Sequence, residues 1–205
     1  MSIVLNPFNN PDEWREHLER LLPDETFVMW PDVDDPQEVD LAVAWVLPRA
    51  DVRAYPNLKA ILSLGAGAEQ WQREGMPDVD IVRLADPGMS DEMATYALHW
   101  VIHLQRGFDR TDPLQRAGRY EIPDSVGAAE FPVGILGHGT IGARVGRAFS
   151  DLGYPVNAWT RSGGHEDGVA HFAGLDELDA FLAASMAVVN VLPSTTATTG
   201  LLTRE

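Results

Sequence analysis

Gly137, Gly139 and Gly142 stand in the order G-x-G-x-x-G within FPVGILGHGTIGARVGRAFSDLG, residues 131–153. The chemistry open to such a turn is anion binding. The first glycine permits a tight turn, the second lets the backbone approach a pyrophosphate, and the third lets a helix pack close to the strand before it. Backbone N–H groups at the helix start, around Thr140 and Ile141, then face the phosphates, and the helix dipole favours negative charge there. The pattern alone is weak, because a βα turn can be rich in glycine without binding anything. Here an apolar run precedes it, an amphipathic helix follows, and a second apolar run comes at the right distance. Together these favour a dinucleotide.

The end of that second run decides which dinucleotide. An NAD site places an acid there to meet the ribose 2′-hydroxyl. The chain instead reads WTRSGG, with Trp159, Thr160, Arg161 and Ser162. Arg161 is suited to pair with a 2′-phosphate and Ser162 to donate to it. That favours NADP, with NAD the alternative and a plain surface arginine the bland reading. Glu166 and Asp167 follow too deep in the loop to substitute for the acid.

Other candidates carry less. In SLGAGAEQW, residues 63–71, the N–H groups of Ala66, Gly67 and Ala68 could form an anion nest. On glycine spacing alone, an ordinary turn is the better reading. Trp45, at the end of a strand, could edge a ligand cleft. His99 and His103 have the spacing of a metal-binding pair, but Trp100 stands where H-E-x-x-H carries its glutamate. They read as helix-surface histidines, and no metal is expected. His138 lies in the glycine turn at a position that tolerates any side chain and is not read as a base. No serine sits in a G-x-S-x-G elbow. With no cysteine, disulfides and thiolate chemistry are excluded.

Alternating strands and helices must position these groups. Apolar runs at 2–6, 26–30, 41–47, 59–65 and 79–85 have strand length, as in a parallel sheet covered on both faces. A helix over 11–22 starts with proline and acids and places Trp14, Leu18, Leu21 and Leu22 on one face. Another over 91–104 aligns Met93, Ala97, Trp100, Val101 and Leu104. Residues 107–130 are polar and turn-rich, a linker or excursion. A second α/β pattern follows: strand 132–137, helix 141–152 with Ile141, Val145, Ala148, Phe149 and Leu152 inward, strand 156–160, helix 175–185 and strand 187–193. After residue 131 this gives three clear strands, where a full dinucleotide sheet has about six. The expected fold is therefore α/β. A flavodoxin-like domain spans 1–105, and an incomplete Rossmann (doubly wound parallel) domain spans 106–205. Most of the six tryptophans are expected in the core, and the acidic run 31–40 in a solvated loop.

The net charge is −16, and Lys59 is the sole lysine. Such a surface repels nucleic acid and anionic lipid, so an anionic ligand needs a local exception of backbone N–H groups or a placed arginine. No apolar run reaches the length of a membrane span. The N-terminal MSIVLNPFNNPDEW lacks a basic flank and does not read as a signal peptide, which leaves the cytoplasm as the default.

Five stretches carry a wider resemblance: AVAWVLP, LKAILSLGAGAEQ, RLADPGMSDEMATYALHWVIHLQRGFD, FPVGILGHGTIGARVGRAFSDLGYPVNAWTRS and VVNVLPSTTATTGLL, from about residue 41 to 202. In content and order the chain resembles the D-isomer-specific 2-hydroxyacid dehydrogenases, nearest to the glyoxylate/hydroxypyruvate reductase A type. The resemblance implies that the loop of Ala66, Gly67 and Ala68 holds a substrate carboxylate and that Trp45 lines the substrate pocket. It implies that WTRS serves NADP, that Leu192, Pro193 and Ser194 border the cofactor, and that Thr199 lies close by. It implies reduction of a small 2-oxo acid such as glyoxylate or hydroxypyruvate, and a homodimer built through the cofactor domain. The family's arginine, in an A-R-G motif, and its acid and histidine all follow the segment matching TTGLLTRE. The resemblance thus assigns no catalytic residue within 1–205, and Arg204 is no substitute. The expectation is a truncated form, fragment or incomplete gene product that is inactive by itself. A non-catalytic dinucleotide-binding module and an interaction scaffold are the alternatives.

Overall fold

The computed structural model describes residues 1–65, 67, 71, 78–86, 88–122 and 124–203. The chain divides into two compact units, Met1–Pro87 with Pro193–Glu205, and Gly88–Leu192.

The first unit is built on a parallel sheet of β1 (Ser2–Asn6), β2 (Thr26–Met29), β3 (Val39–Ala44), β4 (Ala60–Ser63) and β5 (Asp80–Arg83). Their order is β2-β1-β3-β4-β5, the flavodoxin-like winding. Ile3, Val4 and Leu5 are buried in succession, as a central strand covered on both faces requires. Helix α1 (Pro11–Leu21) begins with Asp12 and Glu13 at its positive end. It buries no residue fully, and Leu18 alone of its apolar stripe packs on the core of Ile3, Leu5 and Phe27. A short helix, α2 (Arg49–Ala54), buries Val52 in the cluster on the other face. The acidic run ends sooner than the sequence suggests, because Val39 and Asp40 already belong to β3.

The second unit opens with α3 (Met89–Gln105). Its buried line is Ser90, Ala94, Ala97, Val101 and Gln105, so the expected stripe is corrected: Trp100 and Leu104 face outward. Ala94, Ala97 and Val101 join the core of the second sheet, so this unit starts at Gly88, ahead of the boundary drawn after residue 105 from the sequence. The polar stretch after Gly107 is not all linker. It holds α4 (Phe108–Arg116), which starts where Gly107 takes φ +64° and accommodates Pro113.

The second sheet contains β6 (Val133–Leu136), β7 (Val156–Thr160), β8 (Val169–Ala173) and β9 (Ala187–Asn190), all parallel, in the order β8-β7-β6-β9. Four strands are present among the described residues where the sequence shows three, because β8 (VAHFA) has no fully buried position and so no apolar run. The order is 3-2-1-4 of the doubly wound dinucleotide sheet, with its winding reversed between β6 and β9. Helix α5 (Thr140–Asp151) crosses from β6 to β7 and buries Val145, Ala148 and Phe149, while Leu152 lies past its end and is exposed. Arg144 Nε donates to Asp91 Oδ1 at 2.6 Å, tying α5 to α3. Tyr154 Oη donates to Gln105 Oε1 at 2.6 Å, and Gln105 Nε2 donates to the Val126 carbonyl at 2.9 Å, so this buried amide is satisfied. Helix α6 (Leu178–Ala183) packs Phe181 under the sheet. Of the tryptophans, Trp71 and Trp159 are buried, whereas Trp14, Trp45 and Trp100 are exposed. Among the described residues no helix is long and apolar enough to cross a membrane.

Candidate functional site

β6 ends at Leu136, and the backbone turns at Gly137 with φ +100°, a conformation that side chains other than glycine rarely adopt. The Gly137 N–H donates to the Trp159 carbonyl at 2.9 Å, anchoring the turn to β7. A Cβ at Gly142 would lie 1.9 Å from the Gly137 carbonyl oxygen, so the helix can approach the strand end only because that carbon is missing. A Cβ at Gly139 would meet nothing within 4 Å, so open space adjoins the backbone there. Gly139 is also the N-cap of α5. No side chain caps the helix, and no acid stands in its first turn. The positive end of the helix dipole, at Thr140 and Ile141, is therefore left uncompensated at the reversal point of the sheet, where ligands of open α/β folds bind. A cradle that admits a pyrophosphate fits these residues.

Thr160 closes β7 and its Oγ1 donates to the Gly163 carbonyl at 2.8 Å, shaping the next loop. Arg161 and Ser162 follow, both exposed. A Cβ at Gly137 would come within 3.0 Å of Leu192 Cδ2, so the Leu192 side chain lies against this turn. Pro193, Ser194 and Thr199 belong to the segment that clusters with the first unit. There Thr198 Oγ1 donates to the Pro193 carbonyl at 2.5 Å, and Thr199 Oγ1 to the Thr195 carbonyl at 2.8 Å, forming a local turn.

Sequence reasoning missed the residues beneath the loop. His138 is not at an indifferent position: its side chain is turned inward and only 7% exposed, with Nε2 3.5 Å from Glu166 Oε2. Glu166 Oε1 lies 3.5 Å from Arg147 Nη2. Burial lowers the His138 pKa, against the opposing pull of the Glu166 carboxylate. The available signal was the set Gly163, Gly164 and Gly168, which lets the loop fold back.

In the first unit, Trp45 follows β3 and is 39% exposed, with its ring tilted against Phe8 at 5.5 Å. The Trp45 backbone N–H donates to the Asn6 carbonyl at 2.9 Å, and Asn6 Nδ2 donates to the Val46 carbonyl at 2.7 Å, which ties the ends of β1 and β3 together. Gly67 follows β4 and is half-buried, while Ala66 and Ala68 lie outside the described residues. A clamp not foreseen shapes the start of this loop. The Trp71 indole Nε1 donates to Ser63 Oγ at 2.9 Å, and Ser63 Oγ donates to the Gly65 carbonyl at 3.2 Å. On α3, His99 and His103 sit in a row of ring contacts with Trp100 and Phe108. Among the described residues no group of three His, Asp or Glu side chains is placed to hold a metal.

Comparison with known proteins adds to this geometry. Residues 98–205 match the model of the D-isomer specific 2-hydroxyacid dehydrogenase NAD binding domain. Glyoxylate/hydroxypyruvate reductase A of Serratia proteamaculans is 33% identical over 213 residues, covering 100% of this chain and 68% of that protein. A D-isomer specific 2-hydroxyacid dehydrogenase from Xanthobacter autotrophicus, solved in complex with NADPH and MES, superposes with a TM-score of 0.85 at 34% identity, covering 96% of this chain and 65% of that one. An NADPH-dependent glyoxylate/hydroxypyruvate reductase from Sinorhizobium meliloti, solved with NADP and sulfate, gives a TM-score of 0.85 at 26% identity, covering 96% and 64%. The chain thus spans about two thirds of the length of the proteins it matches.

Proposed function

The chain belongs to the D-isomer specific 2-hydroxyacid dehydrogenase family, and from that premise we propose that it serves NADPH-dependent reduction of a small 2-oxo acid, of the glyoxylate or hydroxypyruvate class, to the 2-hydroxy acid. The observation that carries this reading is the uncapped start of α5 beside the open backbone at Gly139, with Arg161 and Ser162 just past the end of β7, where an NAD site holds an acid. Reduced nicotinamide bound there supplies the hydride. The backbone of Gly139, Thr140 and Ile141 binds the pyrophosphate, Gly137 and Gly142 keep the turn close to the sheet, and Leu192 offers an apolar border. Arg161 and Ser162 take the 2′-phosphate. In the first unit, the loop of Ala66, Gly67 and Ala68 holds the substrate carboxylate, and Trp45 forms an apolar wall.

No residue within 1–205 stands at the positions to which the family resemblance assigns the arginine, acid and histidine. We therefore propose that a polypeptide of these 205 residues binds NADPH but turns over no 2-oxo acid. Fluorescence titration is expected to give saturable NADPH binding, tighter than for NADH. Absence of NADPH binding overturns the cofactor assignment, and sustained NADPH oxidation with glyoxylate overturns the claim that no acid–base group is present. We propose further that two copies pair through the outward row on α3, where Tyr96, Trp100 and Leu104 are exposed. Sedimentation of wild type and Trp100→Glu tests this, with loss of a dimer in the variant expected.

A further inference from the structure

The loop from Arg161 to Gly168, between β7 and β8, has little of its own to hold it in place. Gly163 and Gly168 take φ +83° and +81°, and apart from Gly163 and Glu166 its residues are exposed. Ordering such a stretch costs backbone entropy at every residue, and most at glycine. Its side-chain attachments run through Glu166. One carboxylate oxygen lies 3.5 Å from His138 Nε2 in the glycine turn, the other 3.5 Å from Arg147 Nη2 on α5. His138 is nearly sealed from solvent and its Nε2 has no hydrogen-bond partner. Its ring stands perpendicular to that of His171 on β8, 5.2 Å between centroids. His171 in turn lies directly under the loop, where a Cβ at Gly164 would be 3.1 Å from its ring. Loop, strand, glycine turn and helix thus form a closed circuit of contacts.

We propose that Glu166 is a positioning residue, strapping the Arg161–Gly168 loop to His138 and Arg147 so that Arg161 and Ser162 are held ready for the 2′-phosphate of the cofactor. This rests on the NADP reading above. The same geometry takes Glu166 out of contention as a ligand of a ribose 2′-hydroxyl, because its carboxylate is folded back against α5.

Glu166→Gln separates this role from a purely electrostatic one, because the two predict opposite signs. Removing a negative charge near a 2′-phosphate by itself tightens NADPH binding. Releasing the strap weakens it. The expected result is an NADPH Kd raised about fivefold, with the NADH Kd within about twofold of wild type. Trypsin supplies a readout that needs no cofactor. Cleavage after Arg161 should quicken about fivefold relative to cleavage after Arg119 in the loop following α4. Arg147→Met, which removes the other end of the strap, should quicken the same cleavage. Unchanged cleavage in both variants overturns the strap, and so does NADPH binding that is unchanged or tighter in Glu166→Gln. If wild type binds no NADPH, the cofactor reading and the strap's part in recognition both fail, while the cleavage ratio still decides whether Glu166 orders the loop.

Discussion

The two glycine-rich turns that follow β4 and β6 are held in shape by different forces. After β6, backbone packs on backbone. Gly137 uses a left-handed φ, and a Cβ at Gly142 would overlap its carbonyl oxygen. Among the described residues after β4, side chains make the tie: the buried Trp71 indole donates to Ser63, which also bonds Gly65. The first arrangement leaves open backbone at a helix start and needs glycine at fixed spacing. The determinants seen at the start of the second lie in Ser63 and Trp71, residues that no motif names. Glycine content alone therefore does not rank two turns as ligand sites. What ranks them is whether a side chain would occupy the ligand's space.

Gly142→Ala should be the most damaging way to break the contrast. The new methyl has nowhere to go, and overpacking of this kind costs about 3 kcal/mol. Thermal unfolding should show a large drop in Tm, and titration should show loss of NADPH binding. An unchanged Tm would mean that backbone contact does not set this turn. Ser63→Ala tests the other turn. It strands a buried indole N–H, at a cost of about 2 kcal/mol, read as a lower denaturant midpoint by tryptophan fluorescence with NADPH affinity intact. Weaker NADPH binding in this variant would show that the two turns do not act separately. Arg161→Ala sharpens the comparison within the second unit. NADPH affinity should fall about tenfold, equal to about 1.4 kcal/mol, and NADH affinity should hold. Equal losses for both cofactors would assign Arg161 a general rather than a 2′-phosphate role.

The smallest effect is a pH dependence confined to the turn after β6. Burial disfavours the charged form of His138, so the folded chain takes up this proton less readily than the unfolded chain. The associated stability is complete above the unfolded pKa of about 6.5. It is lost as pH falls through the lower folded value. His138→Gln should flatten the denaturant midpoint across that window relative to wild type. A wild-type midpoint that rises on acidification would reverse the sign and point to the Glu166 interaction as dominant.

Much of the scaffold was legible because its burial is simple. β7 falls on the expected residues 156–160, and the G-x-G-x-x-G turn lies between β6 and α5 as its spacing requires. Legibility failed where burial is partial. β8 has only half-buried or exposed positions, so VAHFA gave no apolar run. α4 ends in an ordinary glycine stop, with Gly118 at φ +66° and the Arg119 N–H donating to the Leu114 carbonyl, but its polar composition, its internal proline and the lack of a buried residue hide the helix before that stop. In α3 the apolar residues occupy two faces. The sequence cannot say which one meets the sheet, and small Ala94 and Ala97, rather than Trp100, allow the close approach to α5. His138 shows the same limit inside the site. Glycine spacing fixes the path of the backbone, but whether the intervening side chain points out or in depends on a loop almost thirty residues further on.

The discontinuity of the first unit has a consequence for biosynthesis. All five strands of its sheet are encoded by Arg83, yet the segment from Pro193 onward joins it across the whole of residues 88–192. At ribosomal speeds of about 5–20 residues per second, that intervening stretch delays the segment by roughly 5–20 s. The five strands described in this sheet are all available during this interval and can pair first. The inserted unit then emerges, and the segment from Pro193 follows it. A ribosome that stalls within 88–192 would leave a first sheet with these five strands and without the segment from Pro193, a state that proteases would meet as an open carboxyl-terminal tail.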